Sequence, residues 1–489
     1  MTEKHSHRGL VVAAIMASMA MIAVEATIVS TAMPQIAAQL GQLNLYSWVF
    51  SSFLLTQTAT TVVFGKLADI YGRKPVLIFG IALFLIASIL AGFAWSMPSM
   101  IVFRLLQGIG AGAIQPASMT VVADLFPGAQ RSKVQGYLAS VWALSAVVGP
   151  LLGSLIIHNL SWAWVFWINV PVGMLAASGF LLFLHEEKRS KPVSVDVLGA
   201  ALFAVSISSL MIALTLMESA VSPEAVLALV LFGFSLVAFI WQERRAKEPM
   251  VAPGLWLKRP IAFSNLAVFL ASMSIMGLTT FLPMYVQTVL DRSPVVAGFA
   301  LTMLLLGWPC GATIASRQFT RFGLRPIMIV GSICIPIGTS LLVMLDPSSS
   351  ATMAGAGSLI MGFGMGLLNI GGALILTQDS VNWSERGSAT ASNVFSRNLG
   401  STLGAAILGA VLTYGLANAN HDQAITSDQL RDLLNGADML IDQQELRLAL
   451  QHALHTTFIA MMLIAVLIVP ACLCVPGGVK RTYEENVVT

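Results

Sequence analysis

The sequence predicts an all-α integral membrane protein of fourteen transmembrane helices, built as two six-helix bundles with an inserted helix pair. Three observations predict it. Of 489 residues, 56% are hydrophobic and only 10% charged. With a mean hydropathy of +0.82, such a chain is not a water-soluble globule. Apolar runs of about 20 residues, long enough to cross a hydrocarbon core about 30 Å thick, recur along its whole length. One short charged loop is also written twice.

The runs lie near 10–33, 47–65, 75–95, 98–124, 134–157, 162–184, 196–217, 223–241, 260–287, 294–315, 326–345, 351–377, 388–416 and 452–475. Gly and Pro interrupt several, which membrane helices tolerate because neighbouring groups re-satisfy the backbone. With both termini cytoplasmic, the inner loops hold Lys66, Arg73, Lys74, Arg131, Lys133 and further basic residues as far as Arg386. The outer loops hold only Arg292, Arg431 and Arg447. Such a bias orients a polytopic chain. The net charge of +3 is this asymmetry, not a nucleic-acid footprint. The first apolar run is too long for a signal peptide and lacks a small-residue cleavage site, so it is expected to stay as the first helix.

Cys310, Cys334, Cys472 and Cys474 all fall in or beside runs and suggest neither a disulfide framework nor a metal site. His452 and His455 have no third ligand near them in sequence and read as interface residues. No nucleotide-binding signature and no nucleophile–base or metal constellation occurs, so neither an enzyme nor direct use of ATP is expected.

The doubled loop is GKLADIYGRKP, Gly65–Pro75, which aligns without gaps on SRQFTRFGLRP, Ser316–Pro326. Lys66 falls on Arg317, Tyr71 on Phe322, Gly72 on Gly323, Lys74 on Arg325 and Pro75 on Pro326. A second echo follows: Asp124 precedes Arg131 by the same interval as Asp379 precedes Arg386. Two echoes at nearly one offset indicate duplication. The offset is too long for six helices, so a pair is inserted. The expected organisation is 1–187, a helix hairpin at 188–258, and 259–489. Within the last, the acidic outer segment 416–451 shows helical spacing of leucines and is expected to form an amphipathic hairpin capping the outer surface.

Ionisable groups inside a bilayer are expensive and mark function. Only Glu25, Arg104 and Arg397 stand well inside runs. Glu25 lies about 22 Å past the inner start of the first run, and Arg104 about 9 Å in from the outer start of the fourth. In a core about 30 Å thick the two depths coincide, so the side chains are expected to meet. Two readings stay open at this point: an ion pair that fixes packing, or a proton site that changes state between two conformations. Arg397, about 16 Å along a helix from Arg386, falls near the midplane; orienting a substrate, bonding a carbonyl and a purely structural role all stay open for it.

Several strings extend these readings. Gly65, Leu67, Ala68, Asp69, Gly72, Arg73 and Lys74 resemble the loop signature between helices 2 and 3 of the major facilitator superfamily. Glu25 to Pro34 (EATIVSTAMP) is similar to the first-helix signature of drug:proton antiporters, with glutamate in place of the usual aspartate. Arg104 to Gly112 (RLLQGIGAG) resembles the helix 4 signature. Ser145 to Ser154 (SAVVGPLLGS) resembles the antiporter motif, whose Gly149, Pro150 and Gly153 let helices approach closely and bend. Trp162 to Gly173 (WAWVFWINVPVG) and Ser396 to Gly404 (SRNLGSTLG) resemble motifs of the fourteen-helix EmrB/QacA-type branch, although Ala163 stands where arginine is usual.

That resemblance implies the major facilitator fold and proton-coupled efflux of lipophilic compounds, cationic or neutral, across the bacterial cytoplasmic membrane by alternating access. It implies proton coupling at Glu25 and Arg104, and a conformational latch of Asp69, Arg73 and Arg131. Glu25, Gln57, Gln287, Trp308, Asn369 and Arg397 are candidate substrate contacts. The implied partners are small lipophilic molecules, protons and membrane lipids, with no cofactor, metal or nucleic acid. The rival readings are an exporter of one physiological solute, such as an amino acid, siderophore or lipid precursor, and a non-transporting membrane sensor.

Overall fold

In this chain the main-chain polar groups are satisfied along helices, as an apolar surround requires. The computed structural model describes residues 7–40, 45–126, 128–186, 196–217, 222–246, 253–419 and 443–476. Its long helices are α1 (Arg8–Leu40), α2 (Tyr46–Tyr71), α3 (Arg73–Gly92), α4 (Met97–Leu125), α5 (Gly128–Asn159), α6 (Trp164–Phe183), α7 (Val197–Met217) and α8 (Pro223–Glu243). They continue as α9 (Arg259–Thr288), α10 (Pro294–Phe322), α11 (Leu324–Val343), α12 (Ala351–Asp379), α13 (Arg386–Ala419) and α14 (Gln443–Leu473). Residues 420–442, the heart of the expected outer hairpin, lie outside the described residues.

Local chemistry sets the ends. Ser96 and Ser99 form a reciprocal capping box at the start of α4, with Pro98 in its first turn. Ser222 accepts from the Ala225 amide to open α8. Within α12 the stretch Gly366–Ala373 widens into a π-helix that carries Asn369, a form that appears often at functional sites.

Among the described residues, twelve helices are long and apolar enough to cross a membrane: α1, α3, α4 and α6 to α14. The count of fourteen expected from the sequence is therefore not reached on that test. α2, at 26 residues, is diluted by Gln57, Thr56, Thr58, Thr60 and Thr61. α5, at 32 residues, opens on Arg131 and Lys133, and part of its side chains lie outside those described.

The chain divides into two compact units. One holds residues up to Ala262 together with Leu374–Phe395; the other holds Phe263–Ala373 and the described residues from Ser396 onward. In the first unit α1 packs on α5 and α6, α4 lies against α2 and α3, and α7 pairs with α8 and touches α2. Two apolar clusters fill it. One gathers Ile15, Met19, Ile22, Phe84, Ile114, Ala176 and Phe180. The other gathers Ile28, Val29, Met33, Ala91, Met97, Met100 and Phe166. In the second unit α12 lies against α10 and α11, and α11 against α14. Tyr285 donates to Leu345 O at 2.9 Å, and a His455 ring nitrogen lies 2.8 Å from Val343 O.

The doubled loop folds alike in both places. Gly72 joins α2 to α3 at φ 97° and ψ 160°, and Gly323 joins α10 to α11 at φ 82° and ψ 168°. This corner of backbone space is nearly closed to other residues. The surroundings differ. Glu186 accepts from the Arg73 amide at 2.8 Å and the Lys74 amide at 3.0 Å, capping α3. A Cβ on Gly72 would lie 2.8 Å from that carboxylate, whereas on Gly323 the nearest atom would be 4.0 Å away. Gly323→Ala is expected to cost about 1–3 kcal/mol from backbone strain. Gly72→Ala is expected to cost about 0.5–2 kcal/mol more by displacing the cap. Thermal unfolding in detergent measures both; equal losses would deny Glu186 its share.

Candidate functional site

Between the two apolar clusters of the first unit runs a polar layer, one side chain or pair from each of several helices. α1 supplies Glu25 after Ile22 and before Ile28. α3 supplies Ser88, α4 Arg104 and Gln107, and α6 Asn169. All five are at most 2% exposed. Arg104 Nη1 donates to Glu25 Oε1 at 2.5 Å and to Gln107 Oε1 at 2.7 Å. Arg104 Nε donates to Val49 O at 3.1 Å, and its guanidinium lies 4.4 Å from the centre of the Phe53 ring. Asn169 Nδ2 donates to the second carboxylate oxygen, Glu25 Oε2, at 2.6 Å. Gln107 Nε2 passes the chain on to Ser88 Oγ at 2.8 Å. Each oxygen of Glu25 thus has a donor from a different helix. The expected approach of Glu25 and Arg104 is found. Asn169 and Gln107, which complete the layer, were not singled out from the sequence; uncharged amides inside apolar runs were the available signal.

Glycines bring these helices close enough for such short bonds. Gly108 and Gly112 of α4 face Phe53 and Gln57 of α2, and Gly110 faces Gly80 of α3, the small-residue spacing that lets membrane helices touch. Gly149 of α5 packs on Thr27 of α1, whose hydroxyl donates to Ser145 O at 3.1 Å. Gly153 is buried, while the Pro150 side chain lies outside the described residues.

A second cluster lies at the inner ends of the helices. Asp69 accepts from the Gly387 amide at 2.8 Å, the Ser388 amide at 2.7 Å and the Ser388 hydroxyl at 2.8 Å. It therefore caps the N-terminus of α13 from another helix, where free N–H groups and the helix dipole favour an anion. Arg73 Nη2 donates to Asp69 Oδ1 at 3.2 Å and to Trp383 O at 2.9 Å, and its guanidinium stacks on the Trp383 ring at 4.2 Å. Asp69 lies beyond the apolar run 47–65, and burial pushes its carboxyl up to about 6 against the pull of Arg73 and these donors.

Arg131, expected in one cluster with Asp69 and Arg73, pairs elsewhere: its Nη1 lies 2.6 Å from Asp379 Oδ1. Arg386 Nη1 lies 3.1 Å from Asp124 Oδ1, and Arg73 Nε is 3.1 Å from Asp124 Oδ2. The two Asp–Arg spacings seen in the sequence therefore exchange partners crosswise. Asp124, Asp379, Arg386, Trp383 and Ser388 complete this cluster; the repeated spacing was the signal for the first three, and nothing in the sequence pointed to Trp383 or Ser388.

The remaining candidates do not join either cluster. Gln57 Nε2 donates to Gln115 Oε1 at 3.4 Å. Trp308 Nε1 is buried without a partner among the described residues, Asn369 is buried in the π-helical stretch, and Gln287 is half-buried near the end of α9. Arg397 is half-buried on α13 and makes no hydrogen bond or ion pair among the described residues. No group of three or more metal-binding side chains occurs among the described residues.

A family model described as Major Facilitator Superfamily matches residues 14–405. The chain belongs to the major facilitator superfamily. It is an integral membrane protein of a transporter family, not an enzyme. Among its superfamily relatives, the multidrug transporter protein MdtP of Bacillus subtilis is 35% identical over 86% of this chain and 78% of its own length. Multidrug resistance protein 3 of the same organism is 35% identical over 86% of this chain and 83% of its own length. The puromycin resistance protein pur8 of Streptomyces alboniger is 31% identical over 83% of this chain and 81% of its own. The crystal structure of the human organic anion transporter MFSD10 (TETRAN) covers 95% of this chain and 99% of its own, with a TM-score of 0.64 at 16% identity, a likeness of fold.

Two expectations test the geometry of this superfamily member. Arg104→Met leaves a buried, unpaired carboxylate and is expected to cost about 3–5 kcal/mol. Adding Glu25→Leu recovers most of that, because side chains in one network are not additive. Thermal unfolding of single and double variants decides; additive losses would uncouple the pair. Arg131→Asp and Asp379→Arg are each expected to lower the yield of folded protein, and their combination to restore it. The control swap of Arg131 with Asp124 is expected to give no rescue, and rescue there would contradict the crossed pairing.

Proposed function

We propose that this chain is a proton-coupled multidrug exporter of the bacterial cytoplasmic membrane, working by alternating access. The observation that carries the reading is Glu25, a fully buried carboxylate held by Arg104 and Asn169 from two other helices. A carboxylate so placed changes protonation only when its surroundings move, which is what coupling a proton to a conformational cycle requires. The names of the relatives support drug resistance as the outcome and efflux as the direction. The sequence resemblance to the antiporter motif supports the same direction.

The same proposal reads α2 and α5 as membrane spans. In α2 the Thr60 and Thr61 hydroxyls donate back to Thr56 O at 2.7 Å and Gln57 O at 2.6 Å, and the Thr56 hydroxyl donates to Leu105 O of α4 at 2.8 Å, so these hydroxyls are satisfied without water. That gives fourteen spans in the order six, two, six, with α7 and α8 as the inserted pair, the divisions 1–187, 188–258 and 259–489, and both termini cytoplasmic by the charge bias. The Asp69 cap on α13 and the crossed ion pairs act as the latch that holds the cytoplasmic ends closed.

The energetics suffice. A potential of 100 mV contributes about 2.3 kcal/mol per charge moved and one pH unit about 1.4 kcal/mol. One proton therefore sustains a substrate gradient of a few hundredfold if the exported molecule moves no opposing charge. Proteoliposomes with an internal pH dye and a panel of lipophilic compounds test the reading. Wild-type protein is expected to show substrate-triggered proton flux, and Glu25→Gln to abolish it. Flux that persists in Glu25→Gln would move the proton site, and no flux with any compound would favour an exporter of one solute.

A further inference from the structure

Each arginine buried at the two clusters of the first unit holds a carboxylate. Arg73 pairs with Asp69, Arg104 with Glu25, Arg131 with Asp379 and Arg386 with Asp124. Arg397 departs from that pattern. It sits inside the span Trp383–Leu416 of α13, about 16 Å along the helix from Arg386. In a core about 30 Å thick that depth is close to the midplane, beyond the reach of a lipid headgroup. Among the described residues it has neither an ion-pair nor a hydrogen-bond partner.

Among the described residues, its own unit offers no replacement. The carboxylates there whose side chains are described are Asp291 and Asp346, both in loops between helices. Asp291 pairs with Arg447 at 2.9 Å, and Asp346 accepts from Ser348 and Ser349. Ionisable groups inside membrane spans are rare and commonly mark substrate or ion pathways.

We infer that Arg397 is the recognition point for an anionic group, such as a carboxylate, sulfonate or phenolate, on an otherwise apolar substrate. The guanidinium presents a planar fork of donors that matches a carboxylate with two parallel bonds. Ser401, one turn further along the same face, adds a hydroxyl beside it. With no carboxylate beside it among the described residues, Arg397 leaves its own surroundings positive, which repels a lipophilic cation and attracts an anion. The inference rests on the efflux reading and narrows its substrate class from cationic or neutral compounds to weak acids.

The test uses the full chain in nanodiscs and three matched fluorescent probes: an arylcarboxylate, its methyl ester and its trimethylammonium analogue. Wild-type protein is expected to bind the carboxylate about tenfold or more tighter than the ester, as charge-assisted hydrogen bonds allow, and the cation most weakly. Arg397→Met is expected to remove the preference for the carboxylate while binding the ester unchanged, with an unaltered melting temperature; Arg397→Lys is expected to keep part of it. Equal binding of acid and ester by wild-type protein overturns the assignment, whether or not any variant folds. A parallel loss of both probes in a folded Arg397→Met protein also overturns it. Proteoliposome transport separates the two readings: transport of the ester with no advantage for the acid sinks Arg397 alone. Transport of none of the probes sinks efflux of these compounds, while the binding comparison still decides Arg397.

Discussion

The structure of the first unit turns on a single constraint, the carboxylate of Glu25 enclosed by apolar helices. Water satisfies a carboxylate cheaply, and an apolar interior does so only with donors supplied by its own side chains. Here they come from α4 and α6, with Gln107 and Ser88 extending the chain to α3. Each of those helices must therefore present one polar position at one depth, and the apolar residues divide into a cluster on either side. The glycines of α4 follow from the same demand, since bonds this short need backbones that touch.

The inner cluster solves a different problem with the same residue types. The N-terminus of α13 has unsatisfied amides, and Asp69 satisfies two of them from α2. A capping side chain normally belongs to the helix it caps. Borrowing one from another helix makes the end of α13 dependent on docking, so this helix terminus is complete only while the segment Leu374–Phe395 stays with the first unit. Glu186 repeats the device at the start of α3.

The legible parts of this fold were those that follow from counting. Helix rise is constant, so the depths of Glu25 and Arg104 could be compared before any contact was known. The doubled loop likewise announced the paired corners at Gly72 and Gly323. What could not be read was the choice of partner over long distances: Arg131 and Asp379 are 248 residues apart, and nothing local distinguishes Asp379 from Asp69 as its acid. Asn169 escaped notice because an amide carries no charge and looks like dilution of an apolar run. The number of spans was least secure where threonines lower the hydropathy of α2 while bonding to their own helix. Hydropathy counts those hydroxyls as exposed to the surround, and the helix does not leave them so.

The exchange of partners between Asp124–Arg131 and Asp379–Arg386 has a meaning in terms of symmetry. Each copy of the spacing offers one acid and one base, and each is answered by the other copy. Each copy is therefore completed by the other rather than by itself, so a charge lost from one copy leaves its opposite in the other without that partner.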